Sequence, residues 1–68
     1  MRTQMRKGAV VKYIGQDHER KELMDGKTYM VQHKCGSLIE IYAPTRYYNG
    51  EIHLSKCAMR ADDFELIR

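Results

Sequence analysis

Gly8-Ala-Val-Val-Lys-Tyr-Ile-Gly15 is answered a few residues later by Leu23-Met-Asp-Gly-Lys-Thr-Tyr-Met-Val31, and these two glycine-punctuated runs decide the fold. Val11 and Tyr13, then Tyr29 and Val31, place β-branched and aromatic residues at every second position. That is the period of a half-buried strand and not of a helix. The first strand is expected over about Ala9–Ile14 and the second over about Lys27–Lys34. Gly15–Gly26 reads as a long polar loop with room for a single helical turn, and Asp25-Gly26 supplies the turn into the second strand.

Outward from this pair, Cys35-Gly36-Ser37 makes a turn into a third strand, Leu38–Ala43, with Ile39 and Ile41 facing inward. Pro44 has no N–H to give to a ladder, so the strand must be an edge, an end or a bulge there. Asn49-Gly50 is the strongest hairpin signal, read as a type I′ turn because Asn and Gly tolerate positive φ at both central positions. It pairs the Tyr47-Tyr48 side with Glu51–Leu54, opening a fourth strand over about Glu51–Met59. Arg60–Asp63 suits one helical turn, Asp62 and Asp63 being residues that cap free N–H groups. Phe64–Ile67 closes as a short fifth strand with Phe64 inward.

A long first loop, a short turn, a distal hairpin and a helical turn before the last strand resemble the plan of an SH3-like barrel. The motifs carrying the resemblance are Gly8-x-Val10-Val11-x-Tyr13-x-Gly15, Leu23-x-x-Gly26-x-x-Tyr29-x-Val31, Asn49-Gly50 and Asp63-Phe64-Glu-x-Ile67, spanning residues 8–68. In style the chain is similar to the short SH3-like or KOW-like proteins encoded by bacteriophages and mobile elements. The resemblance implies an all-β fold, a small five-stranded barrel with one helical turn before the last strand; residues 1–7, which have no periodicity, read separately as a flexible basic arm. Peptide-binding SH3 domains join an acidic first loop to a tryptophan that clamps proline-rich ligands. This chain has Asp17, Glu19, Glu22 and Asp25 but no tryptophan, which argues against polyproline recognition.

Size weighs against catalysis. A chain of 68 residues buries only about 60% of the surface its unfolded form exposes, leaving little depth for a water-excluding pocket. Nor does it hold a nucleophile-plus-base cluster or a phosphate loop, so a non-catalytic binding module without a cofactor is expected. No apolar stretch approaches a membrane span, and the start Met1-Arg-Thr-Gln-Met-Arg-Lys7 is not of the exporting kind. A cytoplasmic protein is expected, with Cys35 and Cys57 reduced and counting as small apolar side chains.

Four candidate sites follow from residue chemistry. Tyr42-Ala-Pro-Thr-Arg-Tyr-Tyr-Asn-Gly50 offers aromatic faces for stacking and Arg46 for a phosphate or carboxylate. The competing structural role is that Tyr42 and one of Tyr47 and Tyr48 cover the open end of the barrel. His33-x-Cys35 with His53-x-x-x-Cys57 counts two imidazoles and two thiols, but lacks the close spacing of zinc sites, and no metal is expected. Asp17-His18-Glu19 sets an imidazole between carboxylates on what reads as a solvated loop, and Asp62-Asp63 reads as a cap.

Charge then divides the functional readings. Net charge is +3, and residues 1–14 carry Arg2, Arg6, Lys7 and Lys12 with no acid. A nucleic-acid module would use these four with Arg46, Tyr47 and Tyr48, bases stacking on the tyrosines and phosphates meeting the cations. A protein-binding module, of the kind a phage uses as inhibitor or adaptor of a host protein, would use the hairpin Arg46-Tyr47-Tyr48 flanked by the acidic segment Asp17–Asp25. A homodimer through an open edge at Pro44 is the third possibility.

Overall fold

A computed structural model describes residues 5–68, and its elements run β1 (Val10–Tyr13), α1 (His18–Met24), β2 (Thr28–Met30), β3 (His33–Cys35), β4 (Leu38–Arg46), β5 (Ile52–Arg60), a 3₁₀ turn (Ala61–Asp63) and β6 (Phe64–Leu66). The strands form two three-stranded antiparallel sheets, ordered β2-β1-β6 and β3-β4-β5. The fold is thus all-β in character with one short helix. It departs from the five-stranded barrel in having six strands and in not closing, since no ladder among the described strands joins the two sheets.

The extra strand comes from a corner. The Val31 N–H donates to the Ala9 carbonyl at 2.8 Å, while the next amide, Gln32, donates to Glu40 at 2.7 Å. Two successive N–H groups therefore serve different sheets, and the stretch expected as one strand over Lys27–Lys34 divides into β2 and β3. Val31 at this corner is fully buried.

The core gathers Val11 and Tyr13 of β1, Val31, Ile39, Ile41 and Ala43 of β4, and Phe64 of β6, closed by Met24 from α1. Period-two alternation identified most of these. Tyr13 lies opposite Phe64 in the β1–β6 register, and their rings meet edge to face at 5.4 Å, a geometry that aligns a ring edge with a π face. Tyr29, in the same alternation as Val31, is only half-buried. At the N-terminal end Met5 packs against this cluster and Ala9 N–H donates to Arg6 carbonyl. Arg2 and the rest of residues 1–4 lie outside the described residues.

Three local expectations change. The 15–26 segment holds two turns of helix, because Asp17 caps it: its Oδ1 accepts from the Arg20 N–H at 2.9 Å, satisfying one of the amides a helix start leaves free. Asp62 and Asp63 make no such cap at the 3₁₀ turn, and Asp62 instead lies 3.7 Å from Arg60 on the surface. Finally, the hairpin turn is not type I′. Gly50 N–H donates to Tyr47 carbonyl and Tyr47 N–H to Glu51 carbonyl, and only Gly50, at φ +90°, has positive φ. This is a three-residue connection in which Gly50 takes the left-handed position of a G1 bulge, with Asn49 Oδ1 bracing it through the Glu51 N–H at 2.9 Å.

Candidate binding surface

Strands β4 and β5 pair over nine residues without a bulge, from Leu38↔Arg60 to Arg46↔Ile52. Unbroken register fixes which way every side chain faces. Ile39, Ile41 and Ala43 face the core, and their partners Met59, Cys57 and Ser55 share that inner face. On β5, however, the apolar phase shifts: Cys57 and Met59 fall on odd positions, Ile52 and Leu54 on even ones. With no bulge to correct the shift, Ile52 and Leu54 are forced outward, 51% and 72% exposed.

The outer face of the hairpin therefore presents Tyr42, Pro44, Ile52 and Leu54 together, Pro44 directly opposite Leu54. Beside them Lys56 stands opposite Tyr42 with its Nζ 5.9 Å from the ring centroid, a weak cation–π contact at an exposed site. Tyr42 does not cover a barrel end; it faces away from the core.

The inner face of the hairpin's far half is polar. Tyr47 Oη shares a hydrogen bond with Ser55 Oγ at 3.2 Å, its ring meets His53 edge to face at 4.9 Å, and His53 Nε2 lies 2.9 Å from Glu51 Oε1. Thr45 Oγ1 lies 3.5 Å from Cys57 Sγ. Helix α1 leans on this half. Arg20 Nη1 donates to the Pro44 carbonyl at 3.3 Å and Nη2 reaches Cys57 Sγ at 4.0 Å, while Glu22 lies 3.9 Å from Arg46. Between helix and hairpin is a shallow cleft of about 160 Å³ lined by Asp17, Glu19, Arg20, Leu23, Thr45 and Arg46. Pro44 fits its central strand because its missing N–H falls on the side turned to α1. There β4 has no strand beside it among the described residues, β3 having paired only as far as Glu40.

The residues singled out from sequence divide between the two sheets. Arg46, Tyr47 and Tyr48 cluster at the hairpin end, with Arg46 near Glu22 and Tyr48 wholly exposed. Lys12 sits in the other sheet, between Thr28 and Glu65 in the strand registers, and Arg6 and Lys7 precede β1. The acidic segment Asp17–Asp25, by contrast, is brought directly against the hairpin. Among the described residues no three His, Cys, Asp or Glu side chains converge as a metal site. Both cysteines are free thiols, Cys35 exposed and Cys57 half-buried. No helix among the described residues is long and apolar enough to cross a membrane.

Residue-by-residue reading missed Arg20 as the tie between helix and hairpin, and missed Ile52 and Leu54 as surface residues. The phase shift between Leu54 and Cys57 was the available signal for the latter. No protein-family model, curated protein or solved structure significantly matches the chain.

Proposed function

We propose that the protein is a small non-catalytic binding module on an SH3-like plan, and that its β4–β5 hairpin is the contact surface for a protein partner. The strand order β2-β1-β6 and β3-β4-β5, with β2 and β3 as halves of one bent strand, supports the SH3-like reading. One observation carries the functional one: exposed Tyr42, Ile52 and Leu54, with half-buried Pro44 opposite Leu54, lie side by side on the outer face of the β4–β5 hairpin. Contiguous exposed apolar side chains with aromatic and arginine neighbours are the composition of interface centres. Free thiols at Cys35 and Cys57 suit a reducing compartment such as the cytoplasm.

The test uses the full chain as bait and the Leu54→Glu variant as control. A partner retained in stoichiometric amount by the wild type and lost with Leu54→Glu, at unchanged thermal stability, supports the reading. Equal retention by the two overturns it.

A nucleic-acid reading keeps one observation in its favour, the fully exposed Tyr48 ring at the hairpin tip, two residues along the chain from Arg46. Fluorescence anisotropy with short DNA and RNA at low and near-physiological salt separates the two. Binding that steepens as salt falls and disappears in the Arg46→Ala/Tyr48→Ala variant favours nucleic acid.

A further inference from the structure

Strand β5 is the edge of its sheet, pairing on one side with β4 and with no other described strand. The Tyr47 N–H bond to the Glu51 carbonyl sets the alternation: backbone groups of odd-numbered β5 residues point to β4. Those of Ile52, Leu54, Lys56, Ala58 and Arg60 point away from the sheet. This is nine residues of unbulged edge, about 30 Å long. Such a row of free N–H and C=O groups is a template for another strand.

From this we infer that the protein partner supplies an extended, acidic and apolar segment that adds to β5 as a fourth strand of the sheet. The inference rests on the hairpin being a protein contact surface and specifies how the contact is made. Charge decides the occupant. Residues 52–60, Ile-His-Leu-Ser-Lys-Cys-Ala-Met-Arg, contain no acid, and the outer face adds Arg46 to Lys56 and Arg60 against Glu40 alone. Lys56 has no carboxylate within ion-pair distance among the described residues, and Arg60 holds Asp62 only at 3.7 Å in an exposed pair, which exchanges readily for another carboxylate; Arg46 is turned instead to Glu22 of α1, along the opposite edge of β4. A second copy of this chain is the wrong occupant. Antiparallel pairing of β5 with itself over its full length sets Lys56 opposite Lys56, and like charges directly opposite are unfavourable. An incoming antiparallel strand suits the edge when it carries acids opposite Arg60 and Lys56 and apolar side chains opposite Leu54 and Ile52.

The probe is the end-blocked peptide Glu-Thr-Val-Thr-Glu-Thr-Val-Thr-Val, added to the ¹⁵N-labelled full chain. Binding is expected to shift the amides of Ile52, Leu54, Lys56, Ala58 and Arg60 and to slow their hydrogen exchange, leaving β1 and β2 unchanged. N-methylation at the two inner valines and the central glutamate, the third, fifth and seventh positions, whose amides would face β5, should abolish binding. N-methylation at the two central threonines, whose amides face away, should not. Lys56→Glu should weaken binding about tenfold, the consequence of turning an attractive cross-strand pair repulsive, and a peptide with lysine in place of the central glutamate alone should restore it.

Shifts confined to α1 or to the β2-β1-β6 sheet, indifference to the position of methylation, or no binding up to about 1 mM peptide, the weak limit of useful affinity, each overturn strand addition. If strand addition fails while Leu54→Glu still releases the stoichiometric partner, the hairpin remains the contact surface and only the mode of contact is wrong. If both fail, the protein-partner reading falls with it.

Discussion

Single side chains in this fold are constrained by what lies immediately over them. Gly15 is buried beneath the Tyr13 ring, and a β-carbon there would overlap the phenol outright. The same hydroxyl accepts the Asp17 N–H at 3.3 Å, so displacing the ring also disturbs the start of α1. Gly15→Ala should lower stability by about 2 kcal/mol, the scale of overpacking in a tight interior, as read by chemical denaturation. Tyr29 presents the opposite problem. Its hydroxyl is buried with no hydrogen-bond partner among the described residues, and burial raises its pKa above the ordinary 10.0. The fold favours the neutral phenol, so this contribution to stability is complete below pH 10.0 and is lost as pH rises through the folded value, where the unfolded chain ionises first. Tyr29→Phe removes an orphaned polar group and should raise stability at neutral pH by about 1 kcal/mol. Thermal melts taken upward from pH 9 should show a shallower alkaline decline for the variant; equal slopes would mean the buried phenol is not the group responsible.

At the scale of elements, α1 is a helix too short to persist by itself, since isolated helices of this length are not stable in water. It exists here because Asp17 caps it, Met24 enters the core and Arg20 fastens it to β4 and β5. Arg20→Met keeps the helix former and the apolar stem but removes the charged donors. A loss of about 1.5 kcal/mol is expected, the usual worth of a hydrogen bond from a charged group. Amide exchange should rise in α1 more than in β1, and uniform loosening of the whole chain would show that Arg20 does not hold the helix locally. The helix was barely legible in sequence because His18–Met24 has only Leu23 and Met24 as apolar residues, too few for a periodic stripe. The Asn49-Gly50 hairpin was legible as a hairpin but not as to type. Sequence names a residue able to take positive φ, whereas the register of the flanking strands decides whether one or both turn residues must take it.

For the molecule as a whole, the unusual feature is the projecting arm that stretches it to 44 × 19 × 17 Å. Beyond Ala43 the β4–β5 hairpin leaves the core, so its two faces are no longer divided into buried and exposed by the fold itself. The polar face turns toward α1 and the apolar face turns to solvent. Replacing Ile52 and Leu54 together by Thr keeps β propensity and should leave stability within about 0.5 kcal/mol, as for surface changes away from the core. It should also raise the concentration at which the protein remains monodisperse by light scattering. A large drop in melting temperature would place these side chains in the folding core and refute the surface assignment.

The sequence by itself determined that the chain is built mostly of strands, the alternation that turns Val11, Tyr13, Val31, Ile39, Ile41 and Phe64 inward, and the position of the distal hairpin. These follow from local alternation and turn chemistry, which act over a few residues and are written in order along the chain. Only the tertiary structure decided that the second strand bends into two at Val31–Gln32, that the sheets stay open, that α1 docks on β4, and that Ile52 and Leu54 face outward along a free edge. Those outcomes depend on which strands become neighbours and in what register. Partner choice is made by residues far apart in sequence, and the period of any one strand does not record it.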